Sequence, residues 1–211
     1  MTQYYPVLLN IEGLACLVVG GGPVAERKVD SLLESGARVT LVSPQATPRL
    51  AELAEQRRIL WSQRVFRQGD TTGSFLVISA SGQEEVNRLV SEECKTNNIP
   101  VNVVDDPQKC GFLVPAVLRR GDLVIAVSSG GASPLVARGI RDELADRYGP
   151  EYEQYLNYLA EARAEALNCI PDARRRRQVF ARLTDGRLLR LVRGGRMNEA
   201  KEWVKECLSS P

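Results

Sequence analysis

Residues 15–25, with the sequence ACLVVGGGPVA, decide the fold of this chain. An apolar run leads into a glycine cluster and an amphipathic segment follows at once, which predicts a strand, a tight turn and a helix. Gly20, Gly22 and Ala25 have the G-x-G-x-x-A spacing of dinucleotide-binding turns. In such turns the first glycine permits the turn and the second lets a pyrophosphate approach the backbone. The small third residue lets helix and strand pack closely.

The residues after this turn predict the rest of a βαβ unit. The helix has one apolar face, and Gly36 is expected just after its last residue. A second buried strand then spans residues 38–42, which completes the unit in about 30 residues, as the fingerprint requires. Free N–H groups at the helix start, around Pro23 and Val24, would face the phosphates of a bound dinucleotide.

One expected part of this site is missing. In many dinucleotide sites an acid about 20 residues further on, at the end of the second strand, bonds the adenosine ribose. This chain has Ser43 there, followed by Pro44. Because a serine hydroxyl can bond a ribose hydroxyl or a phosphate, the motif alone leaves both NAD and NADP open.

Composition excludes several classes of protein. The chain has 211 residues, 44% of them hydrophobic and 26% charged, which is typical of a globular protein. A formal net charge of +2 gives no general argument for nucleic acid. No apolar run approaches the ~20 residues of a membrane span, and the N-terminal stretch lacks the pattern of a secretion signal. The five cysteines are scattered without a CxxC pair, so we expect no metal or disulfide framework and a cytoplasmic location.

The chain contains no histidine. Serine–histidine hydrolysis, histidine-ligated metals and histidine acid–base chemistry are therefore unavailable. Any proton transfer must use a carboxylate, a lysine, a tyrosine, a cysteine or a group of the substrate.

Strands and helices alternate through the first half of the chain. The pattern predicts a helix at 50–58, strands at 59–65 and 75–80, a helix at 84–95 and a strand at 101–104. This alternation is typical of a parallel, doubly wound sheet, in which ligands bind at the carboxyl ends of the strands. Ala80, Ser81 and Asp105 follow strands in this way, as the glycine turn and Ser43 do.

The pattern changes after Gly111. Strands at 113–119 and 123–127 form a hairpin, a Ser/Gly-rich loop leads into a helix at 135–148, and Gly149-Pro150 marks a boundary. Beyond it only helices are expected, at 151–168, 172–183 and 198–208, with a short turn-rich piece before the last. The fold class predicted is α/β, with a Rossmann-type parallel sheet in 1–112, an α+β segment in 113–149 and a helical domain in 150–211.

Three groups of residues resemble a known family. They are 5–28, 102–105 (NVVD) and 126–135 (AVSSGGASPL), in this order and at these spacings. The chain resembles the precorrin-2 dehydrogenases, the dehydrogenase/ferrochelatase module of siroheme synthases. The resemblance implies oxidation of precorrin-2 to sirohydrochlorin with NAD, and a homodimer formed through the central segment. Some members also insert ferrous iron, so Fe²⁺ as a second substrate stays open, while no resident metal, nucleic acid or membrane partner is expected.

The resemblance also implies roles for single residues. The cofactor loops of the family correspond to Gly20, Gly22, Pro23, Val24 and Ser43. Ala80 and Ser81 are added as cofactor candidates because they also follow a strand. The family's catalytic aspartate corresponds to Asp105, which without histidine is also the natural base, although Asp-Asp-Pro is an ordinary turn sequence as well. The family's Ser-Gly-Gly loop corresponds to residues 128–131, of which Ser128, Ser129 and Gly130 are the candidates to bind the substrate. Arg119 and Arg138 are candidates to bind the carboxylates of the substrate.

Other functions compete with this interpretation. An NAD-binding regulatory module without catalysis would explain the glycine turn but not the Ser/Gly-rich loop. An oxidoreductase of small acids would call for a positioned acid–base residue, and the missing histidine disfavours it. Residues 151–211 carry 12 Lys/Arg against 9 Asp/Glu, four of the arginines in a row at 174–177. This basic tail could be a solvated surface, a nucleic-acid site or a site for a polycarboxylate.

Overall fold

Five parallel strands form the sheet of the first of two units, which ends at Val114. The computed structural model describes residues 3–209. The strands are β1 (Ala15–Val19), β2 (Arg38–Val42), β3 (Ile59–Ser62), β4 (Leu76–Ser79) and β5 (Val101–Val103). The helices are α1 (Pro23–Glu34), α2 (Pro48–Glu55) and α3 (Glu84–Thr96), with a 3₁₀ turn at Pro107–Lys109.

The strand order β3-β2-β1-β4-β5 places β1 at the centre of the sheet. Val18 pairs with Leu41 on one side and with Ile78 on the other. The chain therefore runs from β1 to β2 in one direction and later places β4 on the opposite side of β1. This change of direction opens a crevice at the carboxyl ends of β1 and β4, where doubly wound sheets bind ligands. Separate apolar clusters cover the two faces of the sheet, which is why the central strand β1 is apolar on both faces.

The first βαβ unit confirms the prediction from its sequence. Ala25, Val29 and Leu32 of α1 are buried against the sheet. Gly36 has φ +76°, its N–H donates to the Leu33 carbonyl, and the N–H of Ala37 donates to the Leu32 carbonyl. This is a Schellman end, which needs a left-handed residue after the helix.

Some predicted boundaries in this unit are wrong. The helix predicted at 50–58 is Pro48–Glu55, because Thr47 caps its start and Arg57, at φ +57°, no longer continues it. The strand predicted at 59–65 ends at Ser62. Beyond it the Asp70 carboxylate accepts two hydrogen bonds from Arg64, at 2.7 and 2.8 Å, and one from a backbone N–H. These bonds fold the chain into a turn, where the apolar residues alone had suggested a longer strand.

The second unit begins at Pro115. It contains the hairpin β6 (Ala116–Arg120) and β7 (Leu123–Val127), and the helices α4 (Pro134–Arg147), α5 (Glu151–Cys169), α6 (Ala173–Leu183), α7 (Arg187–Arg193) and α8 (Met197–Ser209). The predicted antiparallel hairpin is present, and Gly121 turns it with φ +56°. Its first strand begins at Ala116 and not at Leu113, because Pro115 has no N–H to donate to a strand.

The prediction of a turn-rich piece before the last helix is wrong, because this part of the chain forms the helix α7. Glycines flank this helix on both sides, Gly186 at φ +93° before it and Gly194 after it. Glycines so close together are typical of a loop. The helix forms nevertheless, because it buries Leu188, Leu191 and Val192 among the C-terminal helices. In contrast, Leu118 and Ala137 are the only buried residues of β6, β7 and α4.

Across residues 3–209, no helix combines the length and the apolar character that crossing a membrane requires.

Candidate functional site

The predicted cofactor residues of the first unit and the predicted catalytic aspartate follow strands along one edge of the sheet. Gly20 follows β1, Ser43 follows β2 and Ala80 follows β4 directly, while Asp105 comes two residues after β5. Because the order β2-β1-β4-β5 is parallel, these four ends are neighbours. The topology therefore brings together residues that are up to 85 positions apart in the chain.

The three glycines of the turn differ in what surrounds them. Gly20 has φ +115°, and a Cβ there would overlap the Ala80 carbonyl. A Cβ on Gly21 would overlap the Gln45 carbonyl. At Gly22, by contrast, no atom lies within 4 Å of the place a Cβ would take. The fold itself thus requires the first two glycines, whereas the third leaves an open space beside the start of α1.

The start of α1 is free to accept an anion. Gly22 is its N-cap, no side chain caps it, and Pro23 occupies its first turn. The remaining N–H groups of a first turn have no partner inside the helix, and the helix dipole favours negative charge there. This geometry suits a phosphate group at Gly22, Pro23 and Val24.

A loop from outside the motif holds the glycine turn in place. The Thr47 N–H donates to the Gly21 carbonyl at 2.9 Å, and the Thr47 hydroxyl donates to the Glu26 carboxylate of α1. Thr47 also caps α2, so one residue ties α2 to the turn. Sequence reasoning missed Thr47 and Glu26, because these residues are 21 positions apart and carry no joint signal.

The other cofactor candidates have defined partners. Ser43 is buried; its hydroxyl donates to the Gln45 carbonyl at 2.6 Å, and its own carbonyl accepts from the Trp61 indole N–H at 3.0 Å. The Ser81 hydroxyl accepts from the Gln83 N–H at 3.2 Å. These bonds fix the two loops that flank the crevice.

Asp105 and Asp106 differ in their environment. Asp105 is exposed at φ +63°, and within residues 3–209 its carboxylate has no hydrogen bond or ion pair. Asp106 pairs with the Lys109 ammonium at 2.6 Å, which holds the pKa of the Asp106 carboxyl below its usual range. Of the two carboxylates, Asp105 is therefore the one available to a substrate.

The predicted substrate residues belong to the second unit. The Ser128 hydroxyl accepts from the Gly130 N–H at 3.1 Å. The Ser129 hydroxyl accepts from the Ser133 N–H and donates to the Ser133 carbonyl, both at 2.9 Å. Ser133 in turn caps α4. The Ser-Gly-Gly loop is thus a preformed turn at a helix start, where an anion is favoured.

Some arginines of the second unit bond other residues of the protein, and others leave their guanidinium groups open to a ligand. Arg119 and Arg138 are exposed, and their guanidinium groups form no hydrogen bond or ion pair within the described residues. Several C-terminal arginines are engaged instead. Arg176 caps the end of α5, Arg187 stacks on Trp203 at 3.8 Å, and Arg193 pairs with Glu151 at 2.8 Å. Part of the basic tail is therefore internal packing of the helices.

No group of three or more histidine, cysteine, aspartate or glutamate side chains suited to a metal ion occurs in residues 3–209. Burial raises the pKa of the Cys16 thiol to about 11 and that of Cys94 to about 12, so neither thiol is a ready nucleophile.

Comparison with known proteins agrees with this arrangement. A family model described as "Putative NAD(P)-binding" matches residues 7–116. Models described as "Sirohaem biosynthesis protein central" and "Sirohaem synthase dimerisation region" match residues 120–147 and 151–208.

Curated relatives match nearly the whole chain. The siroheme synthase of Thioalkalivibrio sulfidiphilus is 40% identical over 99% of this chain, and that of Methylococcus capsulatus is 36% identical over 97%. This chain spans 42% and 43% of the length of these two relatives. A solved structure of SirC, a precorrin-2 dehydrogenase, matches with a TM-score of 0.83 and 26% identity, over 97% of this chain and 98% of that chain.

Proposed function

The chain belongs to the sirohaem synthase family, and from this premise we propose that it oxidises precorrin-2 to sirohydrochlorin with NAD as hydride acceptor. The observation that carries the proposal is the match to the precorrin-2 dehydrogenase SirC, which includes almost all of both chains. The siroheme synthases extend well beyond the part they share with this chain, so the proposal concerns the shared part alone.

The glycine turn fits the pyrophosphate of a dinucleotide. The open space at Gly22 and the uncapped start of α1 supply room and N–H groups, and Pro23 and Val24 complete that first turn. Ser43 lies on one side of the turn, and Ala80 and Ser81 lie on the other. When bound, NAD supplies a hydride acceptor, and the protein orients the substrate toward it.

The loop after β2 supports NAD over NADP. Residues 43–47, with the sequence SPQAT, contain no lysine or arginine that could neutralise a 2′-phosphate. The Ser43 hydroxyl already donates its proton to the Gln45 carbonyl, which leaves it only as an acceptor. An acceptor suits a ribose hydroxyl better than a phosphate, because the phosphate carries no N–H or O–H at neutral pH.

Asp105 is proposed as the group that accepts a proton from the substrate. Dehydrogenation removes a hydride and a proton, and the chain has no histidine to accept the proton. Asp105 is exposed at the same edge of the sheet as the glycine turn, with its carboxylate free of partners in residues 3–209.

The carboxylates of the substrate require donors. Ser128, Ser129 and Gly130, at the start of α4, offer hydroxyl and N–H groups, and Arg119 and Arg138 offer free guanidinium groups. Bidentate bonds between guanidinium and carboxylate would fix the orientation of the ring.

The proposal is tested by mixing purified protein with NAD and precorrin-2 without oxygen and following the absorbance of NADH and sirohydrochlorin. We expect both products in equal amounts, with a higher kcat/KM for NAD than for NADP. Bound NAD with unchanged precorrin-2 would instead support a regulatory module without catalysis. Adding Fe²⁺ afterwards tests whether the protein also inserts iron faster than the uncatalysed reaction.

A further inference from the structure

The turn that carries Asp105 is held by a thiol. The N–H of Val103 donates to the Cys110 sulfur at 3.2 Å. The single S–H proton of Cys110 can be donated to the Val103 carbonyl at 3.2 Å or to the Asp106 carbonyl at 3.3 Å. The Asn102 amide also donates to this sulfur, at 3.5 Å. One side chain therefore bonds residues on both sides of Asp105.

The place of β5 explains which backbone groups the thiol bonds. β5 is the last strand of the sheet, so the outward N–H and C=O of Val103 have no neighbouring strand. Buried backbone groups need partners, and a thiol can both accept and donate. The chain after the 3₁₀ turn folds back along β5, and the Gly111 N–H bonds the Val101 carbonyl at 2.7 Å. Cys110 thus closes the edge of the sheet just before the turn.

Asp105 has a backbone conformation that requires support. Its φ of +63° lies in the left-handed region, which residues other than glycine rarely adopt. The conformation decides which way the carboxylate points, and Asp105 has no hydrogen bond of its own within residues 3–209 to hold it. The Asp106 N–H closes the turn on the Val103 carbonyl at 3.3 Å, and the Cys110 thiol and the ion pair of Asp106 with Lys109 add to this support at Val103 and Asp106.

We propose that Cys110 is a positioning residue for the reaction, which holds the turn at Val103 and Asp106 and thereby directs the Asp105 carboxylate toward the substrate. The inference rests on the proposed function of Asp105. The Cys110 thiol takes no part in the chemistry: it is partly buried, and burial is the main cause that raises its pKa.

The test compares Cys110→Ala and Cys110→Ser with Cys94→Ala as the matched control. Cys94 is a buried thiol in the apolar cluster on which Cys110 packs, and it has no bond to the Asp105 turn. In Cys110→Ala we expect kcat for precorrin-2 oxidation to fall about tenfold or more, the scale of a misplaced catalytic group. The dissociation constant of NAD should stay within about twofold, because the glycine turn is untouched. Cys110→Ser keeps a donor and an acceptor and should recover most of kcat, while Cys94→Ala should lower Tm and leave kcat nearly unchanged.

Two further measurements separate positioning from a general loss of structure. In an Asp105→Asn background, Cys110→Ala should cost little more activity, because the residue it positions is already disabled. Amide hydrogen exchange at Val103 and Asp106 needs no turnover, and it should be faster in Cys110→Ala but not in Cys94→Ala.

An inactive Asp105→Asn together with a fully active Cys110→Ala would overturn this inference and leave the proposed function standing. Near wild-type activity in Asp105→Asn would overturn the role of Asp105 and this inference with it. Equal losses from Cys110→Ala with and without Asp105 would also overturn it, since the thiol would then act independently of the aspartate.

Discussion

At the residue scale, neighbouring glycines of the turn have different physical reasons for lacking a side chain. Gly20 and Gly21 are constrained by the carbonyls of Ala80 and Gln45, which belong to loops after other strands. Gly22 is constrained by nothing within residues 3–209, and its φ of −83° is open to any residue. A glycine that the protein does not need for its own packing points to a ligand that needs the space.

Gly22→Val should therefore abolish NAD binding while leaving the fold intact. The new side chain would occupy the space proposed for the pyrophosphate, and no atom of residues 3–209 lies within 4 Å of its Cβ. Calorimetric titration with NAD and a thermal melt give the two readouts. Gly21→Ala is the contrast, because its Cβ overlaps the Gln45 carbonyl and should lower Tm strongly. Normal NAD affinity in a folded Gly22→Val protein would contradict the assignment.

Asp105→Asn should lower kcat for precorrin-2 oxidation by about 10²-fold or more, the scale of removing a general base. The amide keeps the size of the side chain, and asparagine tolerates the left-handed conformation at φ +63°. NAD affinity should change little, because the proposed site of the phosphates is the start of α1. Asp106→Asn is the comparison; its carboxylate is paired with Lys109 and can affect the reaction only through the turn, so it should lower kcat less than Asp105→Asn does.

At the scale of elements, the connection from β3 to β4 has no helix, and hydrogen bonds to two carboxylates hold its conformation. Asp70 accepts from Arg64, and Glu93 of α3 accepts from the N–H groups of Gly69 and Thr71 at 3.0 and 3.1 Å and from the Thr71 hydroxyl. These bonds replace the backbone pairing that a regular crossover helix would supply. The crossover should therefore be sensitive to acid.

The Arg64 guanidinium is the main reason that the pKa of Asp70 lies below its ordinary value of 3.8. A lowered folded pKa means that the pair stabilises the fold above about pH 4 and that this contribution is lost as the pH falls through the folded pKa. Asp70→Asn should lower Tm by a few degrees or less at pH 7, and the difference from wild type should shrink as the pH is lowered from 4 through the folded pKa of Asp70. Glu52→Gln, in an exposed pair with Arg49, should leave Tm nearly unchanged at each pH. A difference for Asp70→Asn that is constant across this range would contradict the role of its charge.

At the scale of the whole molecule, one group of exposed apolar side chains lies in the central segment, residues 113–149. Leu135, Val136 and Ile140 of α4 are 75%, 55% and 41% exposed, and Val117 of β6 is 39% exposed. A segment with so few buried residues and so much apolar surface is typical of an interface. The family model of the dimerisation region, which matches residues 151–208, supports a homodimer. The sequence-based prediction places its interface at 113–148.

Leu135→Glu should shift the protein from dimer to monomer at micromolar concentration, measured by light scattering, because it buries a charge in the predicted interface. Leu60→Glu is the control, since Leu60 is 71% exposed in the first unit. Leu167→Glu on α5 tests the other region, where Leu167 is 54% exposed. Dissociation by Leu167→Glu alone would locate the interface in the C-terminal helices, and a wild type that is monomeric would contradict the dimer.

The sequence alone determined those features whose signals are local. The glycine turn, the end of α1 at Gly36, the antiparallel hairpin around Gly121 and the buried strand β4 follow from a few neighbouring residues with restricted backbone conformations or apolar runs. The resemblance of three motifs to precorrin-2 dehydrogenases added the expected chemistry. The location of Asp105 after a strand also came from the sequence.

The tertiary structure decided whatever depends on groups that are distant in the chain. Three contacts of this kind join residues 7 to 24 positions apart: Thr47 with Glu26, Glu93 with the β3–β4 connection, and the Cys110 thiol with Val103. Only the assembled sheet shows that Gly21 is packed while Gly22 is open, because the clashing carbonyl belongs to another loop. Such contacts depend on where the backbone goes after each strand, and no local pattern of side chains encodes that path.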